Sequence, residues 1–268
     1  AGVGGVWWTA RVHRPELAIS CAQRPGRISS FPRATSGRPV RDTSDVSDDR
    51  RSVRTRERAI ELGRASHRRL DELLAQRAET GALTTDRPTR LPGWTLGHLL
   101  THLARNADSH RRMIEGANRG EVLTQYEGGV EGRNAGIDAG ADRSILELLD
   151  DVASSSAALE SAWSATSWDG HGRRTLAGQD TPIDRLPFLR VREVQLHLVD
   201  LDLGAEFTDL DPLYVRLEVD RLSMLWCARQ PMGMAKLPQA ALALTPTDRL
   251  AWLTGRAEFG GLAPSGLF

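Results

Sequence analysis

The chain has 268 residues, enough to bury a substantial core as one large domain or as a domain with an appendage. With 40% hydrophobic and 26% charged residues, its composition is that of an ordinary soluble globular protein and excludes disorder throughout. The 35 basic residues balance the 35 acidic ones, so no global field draws the molecule onto nucleic acid or an anionic membrane, and small or local partners are expected.

No apolar run reaches the roughly 18 residues needed to span a bilayer. The two cysteines, Cys21 and Cys227, are too few for a disulfide framework, and a reducing cytoplasm is expected. Cys227 follows Met224, Leu225 and Trp226 and reads as a small core residue rather than a nucleophile.

Residues 1–51 are rich in Arg, Ser, Gly and Pro and repeat no apolar spacing, so they are expected to be a disordered extension with no role in the fold. In composition they resemble an organelle-targeting peptide, but no amphipathic helix can be read in them and the chain does not begin with Met. Residues 52–205 read as a four-helix bundle and 206–268 as a shorter, mostly helical C-terminal region.

The first predicted helix runs from Ser52 to Gln76, with Ile60, Leu62, Leu70, Leu73 and Leu74 inward. A linker ends in Leu91-Pro92-Gly93-Trp94-Thr95, where Thr95 reads as an N-cap and Trp94 as a hydrophobic staple onto Leu99. The second helix carries Leu96, Leu99, Leu103, Ala107, His110 and Ile114 on one stripe and stops near Gly116. A Gly-rich connection follows, suited to crossing the bundle or shaping a pocket.

The third predicted helix spans Asp142 to Trp163, with Ile145, Leu149, Val152 and Leu159 inward. After an irregular stretch from Asp169 to Gln179, the fourth runs from Pro187 to Leu203 and is stopped by Gly204. Asp211-Pro212 and Thr245-Pro246 are cap-plus-Pro signals for two further helices, reaching Arg229 and Gly255. Ala240 to Leu244 is the one weak strand candidate.

Chemistry concentrates on the fourth helix. Glu193 and His197, four residues apart, share a face flanked by Leu189 and Leu196 on one side and by Val194, Leu198 and Leu201 on the other, so the pair points inward. A buried carboxylate and imidazole need compensation. An internal Glu–His hydrogen bond is one way to provide it; a cation shared with a histidine from the second helix is another. Of His98 and His102, the latter lies nearer the apolar stripe and is the better ligand.

Two histidines and a carboxylate leave a fourth position open, as catalytic zinc sites do, whereas structural sites close with four protein ligands. Neither Cys-x-x-Cys nor His-Glu-x-x-His is present.

The run Leu91-Pro92-Gly93-Trp94-Thr95-Leu96-Gly97-His98-Leu99-Leu100-Thr101-His102-Leu103-Ala104-Arg105-Asn106-Ala107-Asp108 resembles the signature of the mycothiol-dependent maleylpyruvate isomerases, which are DinB-like metal-binding bundles. Gly128-Gly129, Gly140-Ala141-Asp142-Arg143, the run Arg192 to Leu201 and Trp252-Leu253-Thr254-Gly255-Arg256 continue the resemblance in order, from about Ser52 to the end. It implies a mainly α, DinB-like four-helix bundle with a reduced α/β appendage.

The resemblance also implies a divalent metal, zinc among the candidates, held by His102, Glu193 and His197, with Arg256 taking part in catalysis and mycothiol as the second cofactor. The implied reaction is thiolate addition to the maleylpyruvate double bond, rotation and elimination, with Arg256 or Arg190 pairing with substrate charge. A mycothiol-dependent S-transferase or hydrolase on the same scaffold, or a non-catalytic metal-binding or regulatory protein, are the alternatives. The segment from Arg229 to Ala243 is shorter and poorer in strands than the family's C-terminal α/β domain.

Overall fold

Arg, Glu, Ala and Leu dominate the first element, and they lose little rotamer freedom in a helix. The computed structural model describes residues 43–81, 83–175, 177–230 and 236–267, so the expected extension lies outside the described residues as far as position 42. Helix α1 runs Thr43–Glu79 and starts nine positions before the predicted Ser52. No apolar stripe marks that added stretch, and periodicity has nothing to detect there. Further along α1, Leu62, Leu70, Leu73 and Leu74 are buried as expected.

Helix α2, Leu96–Asn118, opens on Thr95, whose side chain accepts from the His98 backbone N–H while the His98 ring accepts from the Thr95 N–H. His98 is therefore half-buried in a reciprocal cap rather than solvated. Trp94 packs against His98 and His102, with ring centroids 6.5 and 5.5 Å away. All of the predicted stripe is buried, from Leu96 through Ile114.

The Gly-rich connection is not a loop. It contains helix α3, Gly129–Gly140, entered through Gly128 at φ 70°. Glycine weakens helices by about 1 kcal/mol per residue relative to alanine, and only Ile137 is buried here, so neither propensity nor pattern announces it. The backbone of α3 approaches closely: a Cβ on Gly140 would come 2.5 Å from Thr101 Cγ2 of α2.

Helix α4, Ile145–Ala165, is capped by Ser144 with Glu147 completing the box, and it forms the broadest packing partner of α2. The stretch read as irregular folds into a small antiparallel hairpin, β1 (His171–Arg173) and β2 (Asp180–Pro182). A single 3-10 turn leads into helix α5, Leu186–Asp200, with Pro187 in its first turn. Asp202 and Gly204 then take positive φ and end the helical path.

Asp211 caps helix α6, Pro212–Arg229, as its cap-plus-Pro signal predicts. The strand expected at Ala240 to Leu244 is instead a short helix, α7, Gln239–Ala243. Alanine and leucine favour helix, and no neighbouring strand offers a ladder. Thr245 caps helix α8, Pro246–Leu253, again where the cap-plus-Pro signal puts it.

Residues Arg54–Phe268 form one compact unit. Its main core joins Leu99, Leu103 and Leu148 of the bundle to Tyr214, Val215, Leu250 and Trp252 of the later helices. The fold is mainly α, with only three-residue strands among the described residues.

Candidate metal centre

The second and fifth helices pack together and carry the three polar side chains singled out in the sequence. His102 Nε2 lies 3.1 Å from Glu193 Oε2, and His197 Nε2 lies 3.6 Å from the same oxygen. The two imidazoles meet edge to face with centroids 5.0 Å apart. One potential ligand atom from each residue falls within 4.8 Å of the others.

A tetrahedral zinc ion with bonds of about 2.0–2.2 Å separates its ligand atoms by about 3.3 Å. The two Glu193 distances bracket that spacing and all three ligand atoms lie within 4.8 Å of one another, so the donor set suits a divalent ion. His102 and His197 expose only 5% and 7% of their side chains, whereas Glu193 exposes 36%. The cluster is therefore open on the Glu193 side and walled by the rings on the other.

Behind His197 stands a carboxylate that pattern reasoning missed. His197 Nδ1 donates to Asp200 Oδ2 at 2.8 Å, leaving Nε2 turned toward Glu193. A carboxylate on the far nitrogen of a ligating imidazole fixes its tautomer and orientation and raises its basicity. Burial pulls the His197 pKa down, but the hydrogen bonds to Asp200 and Glu193 prevail and hold it above its ordinary value. Burial pushes Asp200 up, and the hydrogen bonds from Arg256 and His197 overcome this to bring it to about 2.

Arg256 thus reaches the centre at one remove. Its Nε and Nη2 grip the two Asp200 oxygens at 2.8 and 2.7 Å, and only 10% of its side chain is exposed. The structure does not bring it among His102, Glu193 and His197. Arg190, the other arginine considered for substrate charge, is fully buried and bonded to His67, the Leu103 carbonyl, Asn106 and Ser156. It braces the bundle interior and is no surface charge.

Arg133, on the unanticipated helix α3, does reach the cluster. Its Nη2 approaches His102 Nδ1 at 3.3 Å, and its guanidinium lies 5.8 Å from the Trp94 ring centroid. It has no carboxylate partner among the described residues. Burial, with the charges of His197 and Arg133, lowers the His102 pKa to about 4 against the Glu193 hydrogen bond, so this imidazole is neutral at pH 7. Despite burial, the Glu193 carboxyl is held well below its usual range by hydrogen bonds from both histidines.

Asp200 had a signal in the sequence, an acid one turn beyond a ligand-type histidine. Arg133 had none, because its segment reads as a loop.

The mainly helical bundle, whose described strands are only three residues long, has a DinB-like fold. A family profile described as "Mycothiol maleylpyruvate isomerase N-terminal domain" matches residues 63–202, just over half of the chain, and the chain belongs to this family, which is named for an enzyme. The match includes His102, Glu193 and His197 and ends before Arg256.

Among solved structures, the chain is similar to one described as the crystal structure of the mycothiol-dependent maleylpyruvate isomerase. The TM-score is 0.64 at 23% identity, covering 75% of this chain and 90% of that one. A histidine-to-alanine mutant of that enzyme matches with the same values. At this identity the likeness supports the fold. No curated protein sequence matches the chain significantly.

Proposed function

We propose that this chain is a metal- and thiol-dependent isomerase acting on maleylpyruvate or a closely related unsaturated keto acid. The observation that carries the reading is the convergence of His102, Glu193 and His197 around one partly open point, in a chain of this family.

Cis–trans isomerisation requires rotation about a carbon–carbon double bond, which is blocked until a nucleophile adds and removes it temporarily. Cys227 is the single described cysteine, and it lies on α6 outside the cluster. The nucleophile must come from a second small molecule, and the family name points to mycothiol. A free thiol has a pKa of about 8.5 and is mostly protonated at neutral pH. A divalent metal held by His102, Glu193 and His197, zinc suiting the donor set, would supply the Lewis acidity that keeps such a thiol deprotonated.

The chain's own residues then have separable tasks. Asp200 holds the proton on His197 Nδ1 so that Nε2 presents its lone pair, and Arg256 clamps Asp200 in that pose. Arg256 is in this reading a positioning residue. Trp94 walls one side of His102. Thiolate addition to one alkene carbon pushes the electron pair toward the conjugated carbonyl oxygen. Rotation follows, and return of the pair expels the thiolate. Arg133, with no carboxylate partner among the described residues, is placed to pair with the oxygen on which that charge develops.

The thiol is regenerated, which separates an isomerase from a transferase that consumes it. A thiol kept reduced suits a reaction in the cytoplasm. No described helix is long and apolar enough to cross a membrane. The site belongs to the 52–205 bundle, with residues 206–268 contributing Arg256.

The test is maleylpyruvate isomerisation with and without added thiol, alongside elemental analysis of the purified protein. Thiol-dependent turnover with one divalent ion per chain is expected. Turnover without thiol would reject the mechanism, and consumption of thiol in step with substrate would replace the isomerase by a transferase.

A further inference from the structure

A cavity of about 280 Å³ opens where the hairpin meets the start of α3, lined by Tyr126, Gly128, Gly129, Val130 and Arg174 among others. Gly129 is the first residue of α3 and Arg133, which touches His102, lies four positions on. Helix α3 thus connects the cavity wall at Gly129 to the residue that touches His102, one turn further along.

The hairpin brings two arginines to this cavity in different states. Arg173 is neutralised by Asp180, with Nε 2.8 Å from the carboxylate. Arg174 is half-buried, and its guanidinium has no hydrogen bond or ion pair among the described residues. Desolvating a guanidinium without a partner is costly, and such a group in a cleft wall is poised for an anion.

Its surroundings sharpen the point. Arg174 lies within the electrostatic reach of Arg192, Arg221 and Glu193. Arg192 and Arg221 share a single buried carboxylate, Glu218, at 2.6–2.9 Å. Three guanidiniums thus face one carboxylate that is not already committed to the His102–His197 cluster. The first turn of α3, which has no side-chain cap, adds the positive end of its dipole to the same wall. The local field is positive although the chain as a whole is neutral.

We infer that Arg174 and the cavity it lines bind a carboxylate of a small dianionic substrate, holding its far end while the unsaturated part lies at the His102–Glu193–His197 cluster. The choice of a dicarboxylate rests on the isomerase reading; the anion site itself rests on the unpaired guanidinium and the cavity. Bidentate pairing of guanidinium with carboxylate gives both charge and orientation. A cavity this small suits a short organic acid better than a bulky thiol.

The experiment titrates full-length, zinc-loaded protein with maleate and with its monomethyl ester, in the absence of thiol, by calorimetry. Arg174→Gln should weaken maleate binding by about tenfold to a hundredfold, the range for losing a charged hydrogen-bonding partner. Arg174→Lys should recover part of it. The wild type's preference for maleate over its ester should shrink in Arg174→Gln. Zinc content and thermal melting should stay at wild-type values in both variants, since the Arg174 guanidinium has no partner to lose among the described residues. Arg119→Gln, an exposed control paired with Glu121, should bind as wild type does.

Maleate binding unchanged in Arg174→Gln, or no saturable binding by the wild type, overturns the assignment. Binding that depends on Arg174 in a protein with no isomerase activity supports the anion site and removes the isomerase reading. Thiol-dependent turnover with an unaltered KM in Arg174→Gln does the reverse.

Discussion

His197 Nδ1 and Asp200 Oδ2 lie 2.8 Å apart, and the Asp200 side chain has no solvent exposure. That distance makes the imidazole's orientation a property of the protein interior rather than of any bound ion. Asp200 in turn is held by two bonds from Arg256. Partners of this kind typically change metal affinity by about 10–100-fold when removed. Asp200→Asn keeps the size of the side chain but removes its charge and leaves Arg256 without an anion. Zinc affinity, read by competition with a chromophoric chelator, is expected to fall within that range. An affinity equal to that of the wild type would show that His197 needs no carboxylate behind it.

Metal binding should appear as stability. A ligand that binds only the folded chain adds about 2.7 kcal/mol at one hundred times its Kd. Chelator-treated wild type is therefore expected to melt at lower temperature and to recover on adding zinc. His102→Ala and Glu193→Gln each remove one of the three donors, and both should melt at the same temperature with or without zinc. A zinc-dependent melting shift surviving in both variants would place the ion elsewhere in the protein.

What could be read in advance, and what could not, divides along physical lines. Amphipathic helices whose apolar faces repeat every three or four residues were visible: Leu96 to Ile114 on α2 and Val152 and Leu159 on α4 are all buried. Cap-plus-Pro pairs placed the starts of α6 and α8. Glu193 and His197 stood out because a helix aligns residues four apart, and the His102 facing followed from the same geometry. Helix α3 was invisible, since five glycines from 128 to 140 and a single buried residue, Ile137, mimic a loop. With α3 went Arg133, although the glycines had suggested a pocket and Gly128 and Gly129 do line one. Arg256 was singled out through the family resemblance, but its partner was not legible, because the pairing with Asp200 spans 56 positions and no local pattern encodes it.

Stability should fall in the acid range through His67. This imidazole donates from Nδ1 to Glu160 at 2.7 Å and accepts at Nε2 from Arg190 at 3.0 Å, so both nitrogens are satisfied only in the neutral form. Burial lowers its pKa to about 4, with the Glu160 hydrogen bond opposing and the Arg190 charge assisting. The unfolded imidazole, near 6.5, binds a proton more readily, so unfolding takes up protons between those values and stability rises with pH there. The contribution is complete above pH 6.5 and is lost as pH drops toward 4, amounting to about 3 kcal/mol at 1.36 kcal/mol per pKa unit.

Denaturant melts of metal-free protein across that window should show a shallower pH slope in His67→Asn than in the wild type. Identical slopes would mean that His67 is protonated in the folded chain. His110 shifts the same way and remains in both proteins, so the difference between the slopes isolates His67.

Two glycine substitutions should move stability in opposite directions. Gly97 lies inside α2, where alanine is intrinsically favoured by about 1 kcal/mol. A Cβ there would sit 2.0 Å from the Ala141 carbonyl oxygen and 3.2 Å from the Thr85 carbonyl oxygen, both of them backbone atoms that cannot swing aside. The Gly97 N–H also donates to that Thr85 carbonyl, so the segment before α2 is pinned to the helix at this point. Overpacking a close contact costs about 1–3 kcal/mol, and α2 would have to withdraw from α3 to relieve it.

Gly136 of α3 has no positive φ, and a Cβ added to it would meet nothing within 4 Å, so helix propensity acts alone. Gly136→Ala is expected to stabilise by about 0.4–1 kcal/mol, and Gly97→Ala to destabilise despite the same gain in propensity. Because α2 carries the candidate ligand His102 as well as Gly97, Gly97→Ala should also weaken zinc-dependent stabilisation, whereas Gly136→Ala should leave it unchanged. Thermal melts with and without zinc decide both points, and a Gly97→Ala protein at least as stable as the wild type would mean that α2 and α3 do not pack backbone against backbone.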